Sequence, residues 1–126
     1  MPEHAYDIHD DIKFPPLSLI DVNRIRAEAP DTWFNQSLAK VNDCVLRLGI
    51  VEGEFHWHKH DREDELFYVV SGKLIIDIEN GPTIELEPNQ GYLVPKGVVH
   101  RTRAYERTAM LMIEGATVVA TGDASA

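Results

Sequence analysis

From about residue 41 onward, apolar positions alternate with polar ones or form short apolar runs, and turn residues separate these segments. A period of two is typical of β-strands that bury one face, whereas helices repeat about every 3.6 residues. The predicted strands are 41–51, 54–60, 66–70, 73–79, 83–86, 92–94, 99–103 and 109–114. Asn80 and Gly81 tolerate the positive φ of a tight hairpin and predict a turn between two of these strands. So many short strands in succession favour an all-β sandwich or barrel.

The first forty residues follow a different pattern. Asp21 is a good N-cap, and Pro30 disfavours helical angles in the residue before it, so a short helix is predicted between them. Residues 1–16 are acidic and end in two prolines. They are expected to form an N-terminal arm, either mobile or lying along a sheet edge.

Length and charge narrow the class of protein. A chain of 126 residues has the size of one domain, which we expect over 17–126. The formal net charge of −9 repels phosphate backbones and anionic lipid heads, so neither nucleic acid nor a membrane surface is an expected partner. The sequence shows neither a signal-peptide pattern nor a long apolar stretch, which predicts a cytoplasmic protein. The lone cysteine, Cys44, fits a reducing compartment and, with apolar neighbours, is expected in the core.

Two stretches of the sequence carry residues that typically bind metals. His58 and His60 are followed five residues later by Glu65, and His100 follows a Pro-x-Gly turn. Imidazole nitrogens and carboxylate oxygens are usual ligands of Zn, Fe, Mn, Ni and Cu ions. Glu65 also opens an apolar strand, where its charge needs compensation. The pattern predicts a site for one divalent transition metal ion, with 41–114 as the core around it.

These residues resemble the two motifs of the cupin superfamily. The first motif, His-x-His-x4-Glu-x6-Gly with a preceding glycine, matches Gly53, His58, His60, Glu65 and Gly72, and the second matches Gly91, Pro95, Gly97 and His100. The resemblance covers about residues 18–123 and extends to small single-domain bacterial cupins labelled mannose-6-phosphate-isomerase-like or cupin type 2. Ala104 stands where the second motif often has Asn, and its opening glycine lies closer to the proline than usual. Neither departure touches a ligand position.

The resemblance implies a cupin-type double-stranded β-helix, that is, a jelly-roll β-sandwich, and commonly a homodimer. It also implies that the metal ligands are His58, His60, Glu65 and His100, with His56 as an alternative to one of them. A cavity that keeps these residues without using a metal is the other interpretation.

Further residues are candidates for catalysis and substrate binding. If 54–60 is a strand, His56 shares the face of the ligand pair and is a candidate general base. Arg47 offers a two-pronged match to a carboxylate or phosphate if it points inward, and is otherwise a surface residue. Tyr68 lies on the face opposite Glu65 and is not expected at the metal. The residues expected in the pocket, the dimer contact or the plain core are Trp33, Phe34, Tyr92, Met110 and Met112, among which Tyr92 and Met112 are candidates for substrate contact.

Three functions are compatible with this sequence. The first is a metal-dependent isomerase or lyase acting on a small polar molecule such as a sugar derivative or keto acid. The second is a dioxygenase that uses Fe or Cu in the same ligand set, because ligand type only weakly selects among these metals. The third is a protein that binds or senses a small molecule without converting it, since one fold hosts many activities.

Overall fold

Strands dominate the structure, a computed structural model that describes residues 6–30, 33–118 and 122–123. The elements are β1 (Asp7–His9), α1 (Val22–Glu28), β2 (Phe34–Val41), β3 (Cys44–Glu54), β4 (Glu65–Ser71), β5 (Leu74–Ile78), β6 (Thr83–Leu86), β7 (Gly91–Val94) and β8 (His100–Gly115). The main sheet has the order β1-β2-β3-β8-β4-β7, and a β5-β6 hairpin pairs with β8. The expected all-β architecture with one short helix is confirmed.

The long strand β8 connects the parts of the sandwich. Its first residues pair with β5, from Ile78↔His100 to Ile75↔Arg103. Its second half pairs with β3 on one side and with β4 on the other. Backbone hydrogen bonds therefore join the His100 end of β8 to one layer and its Glu114 end to the other.

Alternation along the strands divides the core into two clusters. The inner cluster includes Val51, Phe67 and Met110. Phe67 and Glu65 are both buried, which confirms the prediction that they share one face of their strand. The outer cluster includes Leu48 and Ile50 and is covered by α1 through Ile25. The helix follows its predicted signals, since the Asp21 side chain accepts from Arg24 N at 3.1 Å and the helix ends before Pro30.

Several sequence predictions fail at particular strands. The segment 54–60 is not a strand, because β3 ends at Glu54 after a bulge at Gly53, and only His58 forms an isolated bridge with His100. The predicted strands 99–103 and 109–114 are parts of β8, which continues through the polar residues between them. Strand β2 was not predicted because its sequence, FNQSLAKV, mixes polar and apolar residues without regular alternation.

Further sequence predictions concern the N-terminal arm, Cys44 and the turn at Asn80. Of the two alternatives for the arm, β1 adopts the edge position and pairs in parallel with β2. The core position predicted for Cys44 is wrong, because the residue follows the turn at Asn42 and its side chain is exposed. The predicted turn at Asn80 and Gly81 is confirmed, with Asn80 at φ 57°. Among the described residues, no helix is long and apolar enough to cross a membrane.

The turn at Gly72 provides a test of the packing against β8. Gly72 has φ 86°, and a Cβ there would contact Thr108 Oγ1 and lie 2.9 Å from the Arg107 carbonyl oxygen. We expect Gly72→Ala to lower the free energy of unfolding by about 3 kcal/mol, because backbone strain and overpacking add. Gly97→Ala is the matched control, since Gly97 has φ 81° with no atom within 4 Å of the added Cβ. Its expected loss is about 1 kcal/mol. Urea denaturation measures both, and equal losses would contradict the packing argument.

Candidate metal centre

The structure brings together the four residues predicted as metal ligands. One potential ligand atom from each of His58, His60, Glu65 and His100 lies within 4.8 Å of the other three. His58 and His100 exchange two backbone hydrogen bonds of 2.9 Å, which fixes the loop of the first motif against the start of β8. Gly97 N donates to the His60 carbonyl at 2.8 Å, so the turn of the second motif holds His60 as well.

Backbone carbonyls orient two of the imidazole rings. His58 Nδ1 lies 3.0 Å from the His56 carbonyl oxygen, and His100 Nδ1 lies 2.9 Å from that of Val98. Because a carbonyl only accepts, each Nδ1 carries a proton and each ring turns its Nε2 towards the cluster. This arrangement is typical of metal-bound histidine, in which the second ring nitrogen is held by a backbone carbonyl or carboxylate.

The Nε2 atoms of His60 and His100 both face Oε1 of Glu65, and no single hydrogen bond satisfies both nitrogens. His60 Nε2 and His100 Nε2 each lie 3.3 Å from Glu65 Oε1, and within the described residues neither ring nitrogen of His60 has a hydrogen-bond partner. The exposed fractions of these three residues are 2%, 1% and 4% for His60, His100 and Glu65. Two ring nitrogens that face one buried carboxylate oxygen are stable only with a proton or a cation between them. The donor set therefore fits a divalent metal ion.

The electrostatics of the site favour ligands that are ready to bind. Burial lowers the pKa of His58 to about 4, so its ring is neutral at physiological pH. Burial alone would lower the pKa of His60, but the neighbouring Glu65 carboxylate outweighs it and raises that pKa. Burial alone would raise the pKa of Glu65, but the neighbouring His100 and His60 rings keep it well below its usual range. Glu65 thus stays ionised inside the sandwich.

A second buried carboxyl group lies behind Glu65. Glu114 is the cross-strand partner of Glu65, and burial together with the Glu65 charge raises the pKa of Glu114 to about 10. Arg47 Nε lies 3.0 Å from Glu114 Oε1, and the same guanidinium donates to Asp10 at 2.8 Å. The Arg47 side chain is buried but is not part of the cavity lining, so it faces Glu114 and Asp10.

The other predicted site residues lie in different places. Met112 lines the cavity beside the cluster, together with the pocket candidates Trp33, Phe34 and Met110. Tyr92 is partly buried against the inner core and is not among the residues that line the cavity. His56 does not follow the strand geometry assumed for it, since its exposed ring stacks on Phe55 and its Nδ1 lies 3.0 Å from Tyr6 Oη.

Three residues near the site were missed from the sequence. Glu114 carried a usable signal, because it is an acidic residue on the same alternating face as Met110 and Met112. Tyr6 carried none, since its contact with His56 depends on how the arm folds back along β2. Gly122 also carried none, because nothing in the local sequence indicates that residues 122–123 pack against the first motif.

Gly122 provides a test of how the cluster is assembled. It has φ 94°, and an added Cβ would lie 2.5 Å from His58 Cβ and 3.0 Å from His58 Cγ. We expect Gly122→Ala to displace the His58 ring and to weaken Zn²⁺ affinity by about tenfold or more. Gly97→Ala shares the positive φ but meets no neighbour, so its affinity should stay near wild type. Competition with a chromogenic chelator measures both, and an unchanged affinity in Gly122→Ala would show that this contact does not position His58.

Comparisons with known proteins agree with the fold and the motifs. The family model for the cupin domain, Cupin_2, matches residues 47–123. The uncharacterized protein YdbB of Bacillus subtilis (strain 168) is 44% identical over 90 residues, which cover 71% of this chain and 80% of the relative. A solved cupin-2 domain protein from Shewanella frigidimarina is 35% identical, with a TM-score of 0.73 over 77% of this chain and 94% of the other.

A third similarity involves an enzyme. A structure from a study of the DMSP lyases RdDddP and RnDddQII is 26% identical, with a TM-score of 0.54, and the match covers 60% of this chain and 40% of that protein. The solved cupins confirm the expected jelly-roll β-sandwich. Because the family model matches more than half of its length and YdbB is 44% identical over 71% of it, this chain belongs to the cupin family.

Proposed function

We propose that this protein is a metal-dependent enzyme that converts a small molecule by isomerase or lyase chemistry. In this proposal His58, His60, Glu65 and His100 hold one divalent transition metal ion. The observation that carries it is the pair of 3.3 Å contacts that place two Nε2 atoms around one oxygen of Glu65. Together with the unpaired nitrogens of His60, these contacts favour a site that is completed by a cation.

The cavity beside the four residues favours a catalytic metal ion over a purely structural one. When bound, such an ion polarises a carbonyl or hydroxyl oxygen of the substrate and stabilises the negative charge that develops on it. His58 and Glu65 line the cavity, whereas His60 and His100 are covered, so a substrate approaches from the side of the first pair. The apolar residues around this opening exclude water and strengthen the electrostatic interactions inside.

His56 is the residue we propose for proton transfer. Its ring centroid lies 5.4 Å from that of His58, and its Nδ1 contacts the Tyr6 hydroxyl. In this proposal the His56 imidazole exchanges a proton with a substrate that is bound beside His58. The 26% identical structure from the study of DMSP lyases supports lyase chemistry in this proposal, and the match covers 40% of that protein.

Elemental analysis of untagged protein tests the metal assignment. Wild type should contain about one equivalent of a transition metal, and His58→Ala/His60→Ala should lose most of it, because two of the four ligands are gone. His56→Ala is the matched control, which should retain the metal if His56 is not a ligand. Equal metal content in wild type and the double variant would contradict the assignment.

Activity assays distinguish the three functions. An isomerase or lyase should turn over with Zn²⁺ and without oxygen, and His100→Ala should abolish that turnover while the circular dichroism spectrum stays unchanged. Consumption of oxygen, lost on replacement of the metal by Zn²⁺, would favour a dioxygenase instead. Ligand binding that persists unchanged in His100→Ala, without turnover, would favour a binding protein.

We also propose that the protein is a homodimer. Leu66 is the cross-strand neighbour of Leu93 and of Ile113 on the outer sheet face, where Leu93 is 55% and Ile113 45% exposed. A contiguous apolar patch of this kind is stabilised when a second copy covers it. Light scattering should give a dimer for wild type and a monomer for Leu93→Arg. The control is Tyr105→Arg, which changes an exposed residue of β8 outside the patch and should remain a dimer. A monomeric wild type would contradict the proposal.

A further inference from the structure

One side of the cavity beside the metal cluster is formed by three aromatic rings, which we call the aromatic wall: Tyr6, Trp33 and Phe55. Their ring centroids are 4.6 Å apart for Tyr6 and Phe55, 5.3 Å for Trp33 and Phe55, and 5.7 Å for Tyr6 and Trp33. The Phe55 and His58 rings also pack edge to face, with their centroids 5.2 Å apart. The wall therefore begins at a predicted ligand and extends away from it.

The remaining cavity surface is also mostly apolar. The lining also includes Val51, Phe67, Met110 and Met112, and few polar side chains other than those of the cluster contribute. Within the described part of the chain, no lysine or arginine lines this cavity. A substrate with a phosphate or a second carboxylate would leave that charge without a counter-ion in a site of low dielectric.

The charged residues behind the cluster add to this effect. Glu65 and Glu114 are cross-strand partners, so the sheet behind the ligands brings carboxyl groups towards the cavity. Arg47 is a buried cation behind Glu65, and Glu114 and Asp10 already engage its guanidinium. An anionic group away from the metal-binding atoms therefore finds no cation to pair with among the cavity-lining residues that the structure describes.

The space beside the cluster that water-sized groups can occupy is small, with a volume of about 50 Å³. It holds only a few such groups, since one water molecule needs about 10–15 Å³ of this space. The rest of a ligand lies at the open side of the cavity, along the aromatic wall. A sugar phosphate would place its phosphate there without a counter-ion among the lining residues that the structure describes.

We infer that the substrate of this site is a small molecule that binds through adjacent oxygen atoms and carries an uncharged, apolar or planar body along the wall of Tyr6, Trp33 and Phe55. This inference rests on the proposed metal-dependent function and narrows its substrate class. Among the classes expected from the sequence, a keto acid with an apolar side group remains compatible, whereas a sugar derivative that carries a phosphate does not.

Three hydroxamic acids with the same metal-binding head test the inference. Acetohydroxamic acid carries a methyl group, benzohydroxamic acid a phenyl ring, and succinic monohydroxamic acid a carboxylate. Their affinities for the Zn²⁺-loaded full chain are measured by isothermal titration calorimetry. The phenyl compound should bind about tenfold more tightly than the methyl compound, because roughly 50 Å² of its apolar surface is buried on the wall. The carboxylate compound should bind no more tightly than the methyl compound.

Variants of the wall locate the effect. Tyr6→Ala and, independently, Phe55→Leu should reduce the preference for the phenyl compound, whereas Tyr6→Phe should keep it because the ring remains. Tyr105→Ala is the surface control, since Tyr105 is 82% exposed and does not line the cavity. A phenyl preference that survives both Tyr6→Ala and Phe55→Leu would overturn the assignment of the wall.

The outcomes separate failure of the inference from failure of the proposed function. Protein that takes up Zn²⁺ but binds the three compounds equally, or prefers the carboxylate compound, overturns the inference alone. Protein that takes up no Zn²⁺ and binds none of the three overturns the metal-dependent function and the inference with it.

Discussion

The structure depends on the backbone pairing of β8. A single strand of 16 residues pairs with β3, β4 and β5, so the two layers of the sandwich are hydrogen-bonded to one continuous segment. His100 begins this strand, and Glu114 lies near its end. The geometry of the candidate site is therefore set by the same hydrogen bonds that hold the fold together, which makes the positions of these two side chains a property of the scaffold.

Burial of charge is the second constraint. Glu65, Glu114, Arg47 and two histidines lie inside a sandwich whose other inner residues are mostly apolar. Each buried polar or charged group needs a partner there, and the contacts of Arg47 with Glu114 and Asp10 provide one part of that compensation. The remaining part is concentrated at the Glu65 oxygen that His60 and His100 face. The apolar core thus makes the polar cluster sensitive to what binds between its members.

Much of the fold and the grouping of His58, His60, Glu65 and His100 could be predicted from the sequence because their signals are local. The alternation around Phe67, the cap at Asp21 and the turn at Asn80 each depend on a few neighbouring residues, and all three agree with the structure. The spacing of His58, His60 and Glu65 similarly lies within one short segment. His100 was found through the turn that precedes it.

The parts that could not be predicted depend on contacts between distant segments. The strand assumed for 54–60 would have placed His56 beside His58 and His60, but the bulge at Gly53 ends β3 and lets that segment follow the start of β8 instead. Tyr6 reaches the site only because β1 lies along β2. The exposed Cys44 was misjudged because apolar neighbours in sequence do not determine which side of a turn a residue occupies.

The contact of Gly122 with His58 has a consequence for the order in which the molecule is made. Residues 122–123 are synthesised after every described strand, and Asp123 N donates to the Lys59 carbonyl at 2.9 Å, between the two histidines of the first motif. The ribosome exposes His58 long before this last contact forms. This contact therefore forms only after translation has passed β8, so a nascent chain that ends before residue 122 presents His58 without this packing partner.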